Sequence, residues 1–412
     1  MEHLQVSAAQ RIVLESVATL GVESVKLEQS LGRVLAESIC ANRDLPPYDV
    51  SAMDGFAVRS ADVMNAPVTL EIIEDIKAGD MPTKIVQAGQ CSRIMTGAPL
   101  PQGADAVIRV EDTQVESHTS VQIVKAVKCG NDVRSQGEGM KTGEVVLLAG
   151  TEITPGVIGI LATVKAAHFA VYRRPRVAIL STGNELEGMD DPVDPNKIPD
   201  SNTYALMAQI QALGIAPVLL GIARDDPIEL EQYLRRGLEF DVLLVSGGTS
   251  VGVHDYVRPT IEKLGVQMKF WRVAMKPGHP LAFGTTNKTA VFGLPGNPVS
   301  SMVCVEEFVA PALRQMMGNS RLHRRTVEAS LAHDIKHQIG RTEFVRAQLT
   351  RNAEGYVAST TGTQSSGVLL SMAKADGLLI IPAESKGLAA GEQATVQLLD
   401  GAVFQDEAGF RE

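Results

Sequence analysis

Three short segments carry residue types that could do chemistry on a phosphorylated small molecule. The apolar run RVAIL leads into Ser181-Thr182-Gly183-Asn184-Glu185-Leu186. DVLLV leads into Ser246-Gly247-Gly248-Thr249-Ser250-Val251-Gly252, with Asp255 three residues on. TAVFGL leads into Pro295-Gly296-Asn297-Pro298 and then a helical stretch. Glycines let backbone N–H groups approach a phosphate closely. Asn297 suits a helix N-cap and Pro298 the first helical position, which leaves free N–H groups pointing outward. One such loop is an ordinary tight turn; three after neighbouring strands describe an anion-binding crevice. Glu185 and Asp255 fall beside it. Each could merely cap a helix, but carboxylates next to a phosphate site imply a bridging Mg²⁺.

Further polar residues stand nearby in the chain. Arg272 and Lys276, in WRVAMKPGHP, could bring positive charge to the same sheet, although a basic residue beside a loop is ordinarily a solvated surface charge. Asp225 and Asp226 precede Pro227 and read first as a helix cap. His333 and His337 are four apart, but in a β-textured stretch that spacing does not align two rings on a metal. Asp54, in PPYDVSAMDG, and Thr96, in RIMTGAP, read from local physics as turn residues and no more.

These loops need a scaffold, and the texture of the chain supplies one. Residues 7–21 have a helical apolar face, with Ser7 as cap and Gly21 as terminator. Residues 45–140 form a β-rich lobe of short strands such as VTLEIIEDI, ADAVIRVED and SVQIVKAVK. Residues 155–161 and Val171 return the chain to its first segment, which makes 1–44 and 141–174 a discontinuous helical linker domain. Over 175–322, apolar runs alternate with helical stretches at 203–213, 227–238, 257–264 and 298–317. That alternation predicts a doubly wound parallel sheet with ligands at the carboxyl ends of its strands. Residues 323–412 return to β texture, with TVEASLA, EFVRAQL, GLLIIPA and ATVQLL, and suit a small barrel. The fold class is multidomain α/β plus β.

Composition narrows the function classes. The chain has 412 residues, 44% apolar and 21% charged, enough for several cores. A net charge of −10 with 4% aromatics and no basic run argues against nucleic acid. The four cysteines form no CxxC pair, which argues against zinc ribbons and disulfides and fits a reducing compartment. With no signal pattern and no membrane-length apolar run, the chain reads as cytoplasmic.

The segments PPYDVSAMDGFAVR, RIMTGAPLPQGADAV, STGNEL, SGGTSVGVHDY, KPGHPLAFG and GLPGNPVS occur in this order. Together they resemble the molybdopterin molybdenumtransferases, the bacterial MoeA family, to which the gephyrin C-terminal domain also belongs. The resemblance implies a homodimer of four-domain subunits whose α/β domain is molybdopterin adenylyltransferase-like. It implies a site shared between that domain of one subunit and the β lobe of the other. The implied reaction converts adenylyl-molybdopterin and molybdate into molybdenum cofactor and AMP with a divalent cation, Mg²⁺. Asp54, Thr96, Glu185, Asp225 and Asp255 become the functional polar set, with Glu185 and Asp255 nearest the metal. Gly247, Gly248, Ser250, Arg272, Lys276, Pro295, Pro298, Arg346 and Ser366 become substrate-binding residues. A molybdopterin adenylyltransferase and molybdoenzyme maturation proteins are the implied partners. Two departures stand out: Gly139 follows Gly137-Glu138 where the family has an acid, and His279 replaces a lysine, so anion binding there is expected to weaken as pH rises. Two other readings stay open: a molybdopterin adenylyltransferase, and a non-catalytic molybdopterin carrier or scaffold.

Overall fold

Residues 4–248 and 256–399 are described by the structure, a computed structural model. They divide into two units: residues 25–31 with 37–169, and the remainder. Helix α1, Val6–Glu15, belongs to the second of these and is shorter than the 7–21 predicted. Its N-cap is Gln5, which makes no side-chain cap bond, and not Ser7. The carbonyls that would have continued it are taken elsewhere. Gln315 Nε2 donates to both Leu14 O and Val17 O, each at 2.8 Å, and Leu20 N–H donates to Met316 O at 2.8 Å. Long-range capture of the backbone thus overrides local helical pattern.

The unit of residues 25–31 and 37–169 is built on a six-stranded sheet. Its strands are β1 (Gly55–Val58), β2 (Val68–Ile76), β3 (Gln90–Ile94), β4 (Ala106–Arg109), β5 (Thr113–Val115) and β6 (Ser120–Ile123). They lie in the order β4-β1-β3-β2-β6-β5, with β2–β3 the one parallel pair. Phe56, Val58, Leu70, Ile108, Val121 and Ile123 fill the core on one side. Helix α2, Pro155–Thr163, is capped by the Thr154 hydroxyl, which accepts from Val157 N–H. Asp54 sits immediately before β1. The following Gly55 packs so tightly on the backbone of Ile108 that a Cβ there would overlap its carbonyl, so glycine is required to let Asp54 turn outward.

The other unit carries the sheet that the loops demanded. It comprises β7 (Val177–Thr182), α3 (Ser201–Ala212), β8 (Val218–Ala223), α4 (Pro227–Gly237), β9 (Val242–Ser246), α5 (Val257–Lys263), β10 (Gln267–Phe270), β11 (Met275–Lys276), β12 (Ala282–Thr285) and β13 (Ala290–Leu294). The sheet order is β8-β7-β9-β13-β12-β10. Strands β7, β8, β9 and β13 are parallel, as predicted; β12 and β10 extend the sheet antiparallel, which the predicted all-parallel sheet lacked. The parallel strands β7, β9 and β13 are buried along their whole length, because helices cover both faces.

The helical stretch predicted over 298–317 is broken. Helix α6, Pro298–Cys304, passes through one π-turn, Val305–Val309, into α7, Ala310–Met316. The π-turn points two carboxyls inward. Glu306 pairs with Arg324 at 2.7 Å and accepts from Gln209, while Glu307 accepts from Gln397 at 2.8 Å. Each inward carboxyl therefore has a polar partner, half-buried for Glu306 and buried for Glu307, as burial requires.

Five further strands close a barrel: β14 (Thr326–Leu331), β15 (Thr342–Asn352), β16 (Gly355–Thr360), β17 (Gly377–Ile381) and β18 (Gln393–Leu398). The ring runs β15-β16-β14-β18-β17 and returns to β15. Strand β11 joins it from outside, parallel to β15. Lys276, expected beside the α/β sheet, is therefore held on the edge of the barrel.

Candidate active site

The carboxyl ends of β7, β9 and β13 open into a cleft of about 1000 Å³. Its wall is completed by the first turn of α3 and by the barrel segment Gln364–Gly367. The three loops are tied to one another. Gly247 N–H donates to Leu294 O at 3.1 Å. Asn202 Nδ2 donates to Ser246 Oγ at 2.8 Å and to Gly296 O at 2.7 Å, so one side chain joins the second loop to the third. Gly247 has φ +89, and a Cβ there would lie 2.6 Å from Thr182 O. Any side chain would be strained and would also push the second loop off the first.

The start of α3 is pinned from below. Asp200, 4% exposed, accepts from Ser181 Oγ at 3.1 Å, from Thr203 N–H at 3.1 Å and from Thr203 Oγ1 at 2.6 Å. A carboxylate cap of this kind contributes about 1 kcal/mol and fixes the first turn of α3, whose Ser201 and Asn202 line the cleft. The start of α6 is arranged differently from expectation. Asn297 precedes Pro298 but makes no side-chain cap; its Nδ2 donates to Ser366 Oγ at 2.9 Å instead.

Charge enters the cleft from the barrel side. Lys276, His279 and Arg341 line it, as does Glu185. Lys276 Nζ lies 2.8 Å from Glu343 Oε1. His279 Nδ1 lies 2.7 Å from Val273 O. Among the described residues Arg341 has no ion pair and Glu185 no side-chain hydrogen bond, so both remain available to a ligand. Cationic side chains, loop backbone and one carboxylate on a single cleft suit a phosphorylated, anionic substrate.

The second candidate pair lies in the other unit. Asp54 Oδ1 accepts from Thr96 N–H at 2.7 Å and from Thr96 Oγ1 at 2.8 Å. The Thr96 backbone N–H first, and its hydroxyl second, hold the Asp54 carboxyl below the usual carboxylate range. Two turns that local physics could not connect thus form one ionised, exposed unit.

Family descriptions cover the chain in three consecutive pieces. The MoeA N-terminal region (domain I and II) matches residues 4–164, a probable molybdopterin binding domain matches 178–315, and the MoeA C-terminal region (domain IV) matches 328–399. A molybdopterin molybdenumtransferase of Staphylococcus epidermidis is 33% identical over 405 residues, 97% of this chain and 96% of that one. The chain belongs to the molybdopterin molybdenumtransferase (MoeA) family. The enzyme of that name from Bacillus subtilis strain 168 is 37% identical, over 92% of this chain and 89% of its own. The solved molybdopterin biosynthesis moeA protein of Pyrococcus horikoshii OT3 superposes with a TM-score of 0.84 at 30% identity, over 97% of this chain and all of that one. As a member of the MoeA family the chain is an enzyme of molybdenum cofactor biosynthesis; the adenylyltransferase and carrier readings do not fit.

Within the MoeA chain the predicted residues fall into distinct places. Glu185, Gly247, Gly248, Lys276, Pro295, Pro298 and Ser366 all line the cleft. Asp255 and Ser250 lie outside the described residues. Asp225 is absent from the cleft wall and instead exchanges hydrogen bonds with Asn184, each at 3.2 Å; the helix cap of α4 is Asp226. Arg272 is exposed and lines no part of the cleft. Arg346 is 1% exposed, donates to Phe344 O and Ser371 Oγ, and burial pushes its guanidinium down to about 10. It lines no part of the cleft, but its backbone N–H and O hold the amide of the lining residue Gln364 at 2.9 and 3.2 Å. His333 and His337 turn to different partners, Thr360 and Glu343. Glu138 accepts from Ser135 N–H in its own turn, and a side chain at Gly139 would press on Leu45 O at 3.2 Å.

Sequence reasoning missed Asn202, Asp200, Arg341 and Gln364. Asp200 carried a detectable signal, as an Asp followed by Ser-Asn-Thr at a helix start. Arg341 and Gln364 had none, because only barrel closure brings them to the α/β loops.

Proposed function

We propose that the cleft binds adenylylated molybdopterin with molybdate as co-substrate, and that turnover yields molybdenum cofactor and AMP. The observation that carries this reading is the convergence of three phosphate-type loops, the α3 first turn, Lys276 and Arg341 on one cleft in a chain of this family. The pyrophosphate lies against the backbone N–H groups, and the cationic wall neutralises charge as AMP leaves.

Among the described residues no three His, Cys, Asp or Glu side chains converge as a ready metal cage. Magnesium does not need one, since it takes one or two carboxylates and completes its shell with water and substrate phosphates. Glu185 fits that role, with Asp255 as its proposed companion. When bound there, magnesium would polarise the phosphoryl group. Further parts of the proposal rest on the family resemblance alone: a homodimer, with Asp54 and Thr96 of a second copy completing the site. A molybdopterin adenylyltransferase would supply the substrate and maturation proteins would receive the product. No described helix is long and apolar enough to cross a membrane, and the proposed location is the cytoplasm.

The decisive assay follows AMP released from adenylylated molybdopterin with and without molybdate, and with tungstate in its place. Molybdate-dependent release over many turnovers supports the proposal. Release limited to one AMP per chain would refute it.

A further inference from the structure

Lys276 is held from behind by a buried pair that the proposed chemistry does not use. Parallel pairing of β11 with β15 sets Lys276 beside Glu343, and Nζ lies 2.8 Å from Oε1. The other carboxylate oxygen, Oε2, lies 2.9 Å from Nδ1 of His337. Exposure falls steeply along this row: the side chains are 51%, 6% and 1% exposed for Lys276, Glu343 and His337. His337 Nδ1 faces an oxygen that can only accept, so it carries the hydrogen, and His337 Nε2 is buried without a partner.

A carboxylate stripped of water needs compensating partners, and here one is a donor locked in the interior while the other is the cleft's own cation. A free lysine would spread over many rotamers; one gripped by a fixed carboxylate does not. The same grip neutralises part of its charge. We infer that Glu343, backed by His337, is a positioning residue: it fixes the Lys276 ammonium in the cleft and withholds part of its charge from the bound anion. The inference rests on the proposed reading of the cleft.

Positioning and neutralisation pull in opposite directions, which makes the inference testable. In Glu343→Gln the lysine regains its full charge but loses its fixed place. Molybdate alone, titrated calorimetrically into the full chain, should bind about three- to tenfold more tightly. The kcat for AMP release should nevertheless fall about tenfold, because the charge is no longer held where it develops. Arg346 also feels the Glu343 charge, so the effect is referred to a Lys276→Met background. There, adding Glu343→Gln should change kcat by less than about twofold. Equal losses in both backgrounds, or a kcat loss with molybdate affinity unchanged, would overturn the inference.

His337 gives an independent test if Glu343→Gln does not fold. His337→Asn can place an amide N–H where Nδ1 was and should keep kcat, while His337→Leu should lower it about fivefold. Equal turnover in the two would also overturn the inference. Lys276→Met with normal affinity and turnover is a different failure, which removes the reading of the cleft itself.

Discussion

Asn297 Nδ2 donates to Ser366 Oγ at 2.9 Å, joining the start of α6 to the barrel within the cleft wall. Ser366 also accepts from Val299 N–H through its backbone oxygen at 3.2 Å. The barrel therefore contributes to the cleft through a defined bond and not by proximity alone.

Breaking that bond should loosen the wall without unfolding the chain. Asn297→Ala and Ser366→Ala are each expected to lower kcat/KM for AMP release about three- to tenfold, the scale of one hydrogen bond. The double variant should be no worse than the poorer single variant, since both remove the same contact. Steady-state kinetics on the four proteins measure the coupling, and additive losses would show that the two residues act separately.

Asp54→Asn should remove most turnover while leaving the melting temperature near that of the parent, because Asp54 is exposed. The pH profile sharpens the expectation. Two donors on Thr96 hold the Asp54 carboxyl low, so the ionised form persists well into acid. Thr96→Ala keeps the backbone donor and loses the hydroxyl, which moves that carboxyl back toward its ordinary value. The acid limb of the rate profile should then shift to higher pH. An unchanged limb would separate Asp54 from the chemistry.

Asp54 and Glu185 belong to different units, and the proposed dimer would let one copy supply each. Mixing inactive Asp54→Asn with inactive Glu185→Gln should restore one complete site per mixed dimer. If exchange between copies is demonstrated and activity stays at the level of either variant alone, the shared site is wrong.

Glu307, in the π-turn, has its carboxyl pushed up to about 8 by burial, with neighbouring Glu306 adding to the effect. The folded chain then holds a proton that the unfolded chain releases near pH 4.5. Stability from this group is full below that value, is lost progressively as pH rises through about 8, and then levels off, the total being on the order of a few kcal/mol. Glu307→Gln keeps an acceptor for Gln397 and cannot ionise. Its melting temperature should vary less between pH 6 and 9 than the parent's, as calorimetry at several pH values would show.

Much of the fold was legible because it is local. Buried parallel strands read as continuous apolar runs, so β7, β9 and β13 and the loops that follow them stood out. Barrel strands β14, β15, β17 and β18 stood out by their own texture. Helix ends were less legible: α1 stops at Glu15, where Leu14 O, Val17 O and Leu20 N–H bond to Gln315 and Met316, far along the chain.

The residues of the cleft divide in the same way. Glu185, Gly247, Gly248, Pro295 and Pro298 were readable because a glycine turn or a proline helix start is written in neighbouring residues. Asp54 and Thr96 were visible individually, but their hydrogen bonds span 42 residues. Lys276 was visible as a cation, while its pairing with Glu343 was not, since β11 pairs with the barrel strand β15 and with no strand of the α/β sheet. Arg341 and Gln364 became cleft residues only through that closure, and Arg346 became a buried one. By itself the sequence determined the loops, because backbone conformation depends on near neighbours. Which side chains face one another across the cleft was decided by strand pairing between distant segments, and only the tertiary structure carries that.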